Sequence, residues 1–397
     1  MDQEQALRER LAAIATPPSR ISMDTVLPAA RQRVRRRRAV WAGAGAALTV
    51  GALLAVPKVL LSDAGPDNRP ALPAATSAPV AHPAACRPRT LPLPDGITDM
   101  EAESVDPTGR YIVGNATVKH VFRPVLWTDG VPRLLPAPAE SVQVTGVNAA
   151  GVVVGLVNDG AGGGSVFRFE DGQYTVLGMP AGNWAPYPGA MINTAGDVLV
   201  NAEPATAGEN NGKGTIVLLW KAGATTPVRL PLPAGATVDD LADDGTMVGG
   251  LYRDGAGVAG YRWDQRGEAR KLSAPAGKVT LASASRGDWV TGSVWGQGEA
   301  ARWNLRTGEF RQFPQRFGPG VAVNDDGWVV TQQGALIRDG AVADLSAGGG
   351  GRTAKARALT DDGLVVGSVA VEPEAGRSGS LAFLTASGQT LPQIWQC

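Results

Sequence analysis

The stretch NDDGWVV, Asn324 to Val330, has close relatives elsewhere in the chain. LADDGTMVGG begins at Leu241, LTDDGLVVGS at Leu359 and VNAAGVVVGL at Val147. Each passes from Asn or Asp through a glycine into a run rich in β-branched residues. Glycine supplies a positive φ, and the Asn or Asp side chain bonds its own backbone, so the phrase marks a tight turn leading into a strand. A calcium loop would need the D-x-[DN]-x-[DN]-G spacing, which adjacent DDG does not offer. The phrase is architectural.

Anchoring each copy on its glycine gives Gly109, Gly151, Gly196, Gly245, Gly287, Gly327 and Gly363. The spacings are 42, 45, 49, 42, 40 and 36 residues, a period in the range of propeller blades. After the β-branched run each copy has a variable stretch, then a second run that often ends in an aromatic: Trp127, Phe169, Trp220, Trp263, Trp303. A second turn follows (TDG, EDG, KAG, RDG), and a short closing run such as PRLLP or PVRLP ends the copy. Four short strands separated by turn signals, repeated radially, make a β-propeller blade. The recurring tryptophan is predicted to pack between neighbouring sheets. The composition agrees: of 397 residues, 52 are Gly and 29 Pro, and only 6% are aromatic, which suits many short strands and turns. The prediction is an all-β fold, a seven-bladed propeller of four-stranded antiparallel blades over residues 86–397. Copies one (SVDPTGRYIVG) and five (SASRGDWVTG) depart most from the pattern.

With GVNAAGVVVG…SVFRFEDG and LTDDGLVVGS…LAFLTASG, the chain resembles the extracellular repeats of the HAF type over Leu91 to Gln393. Their units carry an (I/V)N-x-x-G-x-(V/I)-(V/A)-G phrase and a later strand ending in an aromatic. The resemblance implies a secreted or surface propeller and no defined reaction.

The amino-terminal part is different in kind. Residues 1–58 hold ten Lys or Arg against four Asp or Glu, a balance of +6, while residues 59–397 hold 27 against 33, a balance of −6. RQRVRRRR (Arg31 to Arg38) directly precedes nineteen uncharged residues, Ala39 to Pro57. A helix of that length approaches the roughly 30 Å hydrocarbon core of a bilayer, and Lys58 can snorkel so that Val59 to Leu61 extend it. The arginines place the amino terminus inside. The expectation is a basic cytoplasmic tail (1–38), a transmembrane helix (39–61), a Pro/Ala-rich linker (62–85) and an extracellular domain. A cleaved signal peptide is the alternative; its charged region would have to be 38 residues long, with no strong small-x-small cleavage site after the apolar run. The mildly acidic large part argues against nucleic acid as a partner.

Cys86 precedes the first copy and Cys397 ends the chain. A closed ring brings its ends together, and a disulfide persists outside the cytoplasm, so Cys86–Cys397 is expected as a clasp.

Chemistry is sparse. Only His82 and His120 occur, and no GxSxG, HExxH, P-loop or GxGxxG context appears, so neither a cofactor nor a metal site is predicted. The tripeptide Arg286-Gly287-Asp288 matches an adhesion motif, but its glycine holds the repeat's turn position. Turns between strands one and two are short and uniform. Connections between strands two and three and between blades vary, and variable loops on a rigid scaffold are where binding resides. Trp184, Tyr187 and Trp295 fall there as candidate stacking residues, with edge capping the competing reading; His120, Glu209 and Glu374 are further candidates. The leading expectation is a membrane-anchored, non-enzymatic binding or sensing domain with a cell-surface glycan or protein as ligand. The alternative is a glycan-active hydrolase or lyase with paired carboxylates near the central channel.

Overall fold

A computed structural model describes residues 86–158, 164–205, 214–346, 353–371 and 389–397. Within them the strands form seven antiparallel sheets of four. The first strand among the described residues is β1 (Arg87–Thr90), which joins the last blade. Blade 1 is then β2 (Met100–Val105), β3 (Tyr111–Val118), β4 (Val121–Thr128) and β5 (Val131–Leu134), side by side in chain order. Blades 2 to 6 repeat this order. They open on β6 (Ser141–Val147), β10 (Trp184–Ile192), β14 (Ala236–Leu241), β18 (Thr280–Arg286) and β22 (Gly320–Val323). The predicted propeller is therefore present, with the predicted number of blades.

Each turn phrase sits where the innermost strand meets the second. All seven anchoring glycines have positive φ, from 53° to 87°. The Asn148 Oδ1 accepts from the amides of Ala150 and Val152, both at 3.1 Å, and Asn324 Oδ1 accepts from Trp328 N at 2.9 Å. These are the predicted Asx turns. They also link blades: Asn148 Nδ2 donates to the Asn193 carbonyl of the next turn at 3.3 Å, and Asn193 Nδ2 to that of Ala242 at 3.4 Å.

The core lies between sheets. One buried cluster joins Val113 and Leu126 of blade 1 to Val144 and Phe167 of blade 2. The next joins Val154 and Val166 to Val200 and Trp220, and the series returns to its start where Ile112 and Trp127 meet Leu364 and Ile394 of blade 7. Trp127, Trp220, Trp263 and Trp303 are all buried at the predicted position.

Ring closure differs from the simple repeat. Blade 7 reads β26 (Thr353–Leu359), β27 (Leu364–Val371), β28 (Gln389–Gln396) and then β1, so that, among the described residues, this sheet alone draws on both ends of the propeller. The LAFLTASG run lies outside the described residues; β28 holds the third place and supplies Trp395 to the core. Arg87 pairs with Gln396 and Thr90 with Gln393. One step beyond, Cys86 and Cys397 form the expected disulfide, with Cα atoms 4.3 Å apart.

The predicted tail, transmembrane helix and linker (1–38, 39–61, 62–85) lie outside the described residues. Among the described residues no helix is long and apolar enough to cross a membrane.

Candidate functional site

The innermost strands are irregular in a consistent way. Each carries a bulge, with pairing slipping between Ala102 and Ser104, Val144 and Gly146, Tyr187 and Met191, and Val238 and Asp240. It slips likewise between Ala282 and Ala284, Gly320 and Ala322, and Ala356 and Ala358. A bulge leaves its extra residue unpaired and re-aims it. Glu103, Thr145, Asp239, Ser283, Val321 and Arg357 are such residues, and all line a central cavity of about 620 Å³. Its lining runs from this ring of bulges to the uniform turns, including Asp243, Arg286, Asp325 and Asp361. The cavity thus lies toward the end with the short turns.

Charge in the channel is arranged in three groups. Across the seam of blades 7 and 1, Arg357 reaches Glu101 at 3.3 Å and Glu103 at 3.6 Å, and Lys355 reaches Glu101 at 3.7 Å. Burial raises the Glu103 pKa against the opposing pull of Arg357. On β14, Asp239 is open to channel water yet walled by protein, and desolvation followed by the charge of Asp240 pushes it up to about 7. Burial raises Asp240 too, although Ser285 donates to it from its amide at 2.7 Å and its hydroxyl at 3.0 Å.

The third group lines the mouth at the turn end. Arg286 donates to Asp361 from Nη2 at 2.8 Å and Nε at 3.2 Å, and to Asp243 from Nη1 at 3.0 Å, with Asp325 at 3.9 Å. Thr194 N donates to Asp243, and Asp325 N to Asp361. The network spans the turns of blades 3 to 7. Burial works against the Asp243 charge, but the bonds from Thr194 and Arg286 outweigh it and hold its pKa below the usual carboxylate range. Asp325 is raised, by burial and then by Asp361. Arg286 is thus committed inside the protein, and Asp288 pairs with Arg306 at 3.0 Å. The tripeptide spells internal contacts rather than a free adhesion loop.

At the opposite mouth the predicted residues separate. Tyr187 is 62% exposed and Trp295 42% exposed. Trp184 is half-buried against the core of blades 2 and 3, and its Nε1 donates to the Ala181 carbonyl at 3.2 Å; it caps the edge. His120 is exposed on the Lys119–His120 hairpin turn of blade 1, both residues at positive φ. Glu209 and Glu374 lie outside the described residues. Tyr252, which sequence reading missed, meets Trp295 edge to face, centroids 5.7 Å apart at 83°. Burial raises the Tyr252 phenol, with added contributions from the charges of Asp239 and Tyr187. Tyr252 and Trp295 thus meet between blades 4 and 5, with Asp239 and the blade 3 residue Tyr187 near enough to act on the Tyr252 phenol. The roles of Asp239, Asp240 and Arg286 were also missed; one signal was present, since in blades 1, 2, 4, 6 and 7 the bulge residue falls six places before the turn glycine, as with Glu103 and Gly109 or Asp239 and Gly245.

No protein-family model and no curated protein matches the chain. Solved structures do. An oligogalacturonate lyase in complex with manganese is 10% identical, covering 79% of this chain and 94% of its own, with a TM-score of 0.51. An oligogalacturonate lyase from Vibrio parahaemolyticus (10% identity, 79% and 97% coverage, TM-score 0.44) and the RRP9 WD40 repeats (12% identity, 78% and 97%, TM-score 0.45) also match. At such identity the first of these likenesses shows the propeller fold and nothing finer.

Proposed function

We propose that this chain is a membrane-anchored, extracytoplasmic β-propeller of the HAF-repeat type, acting as a non-enzymatic binding domain through its variable-loop face. The repeat phrases support the family reading, and the arginine run before Ala39–Pro57 supports the anchor with the amino terminus inside. The observation that carries the binding role is the pair of large aromatics, Tyr187 and Trp295, left exposed on a closed, disulfide-clasped scaffold. Exposed aromatics on rigid supports are the residues binding surfaces favour. The experiment is a glycan and protein binding screen with the full chain, repeated with Tyr187→Ala and Trp295→Ala. Binding is lost in the variants; binding that persists in both removes this face from the reading. Protease accessibility in intact cells tests the topology, with the propeller digested from outside.

A second reading has one observation in its favour. Asp239, pushed up to about 7, stands beside Asp240, which is raised as well, in the channel, and a carboxyl group that keeps its proton near neutrality is the general acid that glycan hydrolases use. In this reading Asp239 is the proton donor. Cleavage of a glycan that disappears in Asp239→Asn, with the fold intact, replaces the first reading by this one.

A further inference from the structure

From the same geometry we infer that the rim formed by blades 3 to 5 takes an organic ammonium ion, seated in the aromatic corner of Tyr252 and Trp295, with Tyr187 and the carboxyl group of Asp239 close by. This deepens the binding role just proposed and rests on it. The Tyr252 and Trp295 rings stand at 83° to each other, so they present two perpendicular walls. A flat sugar ring stacks best on one broad open face; a compact methylated ammonium fits a corner, where it meets more than one π-face.

The corner is held in place from behind. A Cβ on Gly257 would lie 2.9 Å from the Trp295 ring, and one on Gly250 2.9 Å from the Tyr252 ring. Both aromatics therefore lean on bare backbone, with Leu281 close beside each glycine. Tyr187 stands near enough for its phenol to act on that of Tyr252, and most of its side chain is free.

Charge completes the case. Among the described residues Asp239 has no ion pair, so once its carboxyl ionises, above about pH 7, its charge has no protein cation to answer it and a bound cation would favour that ionised form. Lys278, just before the inner strand of blade 5, is taken up by Gln297 at 2.9 Å and Glu299 at 3.9 Å, and Arg286 is held by Asp361 and Asp243. Arg253 follows Tyr252 on its strand and by alternation points to the other side. A cation against the aromatic faces, with the Asp239 carboxyl close by, satisfies both features at once.

The test is a titration of the full chain with choline, phosphocholine and the neutral tert-butyl analogue of choline, read by tryptophan fluorescence and calorimetry. Choline binds saturably, and the neutral analogue, which has the same shape without the charge, binds at least about tenfold more weakly. Phosphocholine is also weaker, because its phosphate meets the Asp239 carboxyl. Trp295→Ala and Asp239→Asn each weaken choline by about tenfold. Gly257→Ala does so by pushing the Trp295 ring aside, and its circular dichroism and melting separate that effect from unfolding. Equal affinity for the neutral analogue, no saturable choline binding, or unchanged affinity in both Trp295→Ala and Gly257→Ala overturns the inference. If choline fails while a glycan or protein binds and depends on Trp295, only the ammonium ion is wrong and the face remains the binding site. If that ligand ignores Trp295, both readings fall.

Discussion

Trp127, Trp220, Trp303 and Trp395 do more than fill space between sheets. Each donates its indole N–H to a carbonyl just past the outer strand of the preceding blade: Pro92 at 2.8 Å, Gly178 at 3.2 Å, Ser273 at 2.8 Å and Leu345 at 2.9 Å. Trp263 is buried at the same position with its Nε1 unpartnered. Replacing Trp127 by Phe loses volume and a hydrogen bond, whereas Trp263→Phe loses volume and relieves an unsatisfied donor. Trp127→Phe is therefore expected to cost about 1 kcal/mol more than Trp263→Phe, as measured by denaturant midpoints. Asp239 gives a second prediction at this scale. Its pKa is pushed from 3.8 to about 7 in the folded state, so between those values the folded protein holds a proton the unfolded chain has released. The stabilisation this proton confers is full below about pH 4 and is lost as pH rises through about 7. Asp239→Asn flattens the fall in melting temperature between pH 5 and pH 8; an unchanged profile assigns the slope elsewhere. Tryptophans and turn glycines were legible in the sequence because each recurs at one blade position. Asp239 was not, because its role depends on a bulge, and a strand's register does not show in a pattern of apolar residues.

The turn is the element on which the ring depends. Gly327 holds φ 75°, and a Cβ there would fall 2.5 Å from the Trp289 ring of the preceding blade. Gly327→Ala meets both the left-handed backbone and that ring, and is expected to destabilise by about 2 kcal/mol or more, as read from urea unfolding. Gly340 also has positive φ, 80°, but nothing stands near its missing Cβ, so Gly340→Ala shows the backbone cost alone, about 1 kcal/mol. A smaller gap between the two would mean that Trp289 yields freely. Arg286 sits in the copy whose turn departs from the phrase, and that departure is what frees it to cross the mouth. The sequence showed the irregularity but not its use, since Asp361 lies 75 residues away. Arg286→Ala leaves Asp243, Asp325 and Asp361 facing one another without a cation. The variant is expected to be destabilised at pH 8 and to recover toward the parent as acid protonates the carboxylates; a loss independent of pH would show that packing, not charge, is what Arg286 contributes.

At the scale of the whole molecule the open question is how a ring of similar sheets ends. Six sheets are built locally, each from one continuous stretch, and their phrases are readable one by one. The seventh combines β26, β27 and β28 with β1, some three hundred residues away. No local phrase announces that pairing; only the two cysteines, placed outside the repeats, pointed to it. Four backbone pairs from Arg87↔Gln396 to Thr90↔Gln393 and the Cys86–Cys397 bond hold the joint. β1 itself is exposed along its length, so little apolar burial secures it, and the covalent link should carry much of the closure. In the chain-entropy account a bridge across so long a loop stabilises by on the order of 5 kcal/mol. Cys397→Ser, or reduction of the bond, is therefore expected to lower the unfolding free energy by up to about that amount. The loss should not be uniform. Amide exchange should quicken first in β1 and β28 and in the cluster of Trp127 and Leu364 that bridges blades 1 and 7, while blades 3 to 5 keep their protection. Protection that falls evenly around the ring would mean that closure and blade stability are one cooperative unit; exchange unchanged at β1 would mean that four strand pairs suffice without the bond.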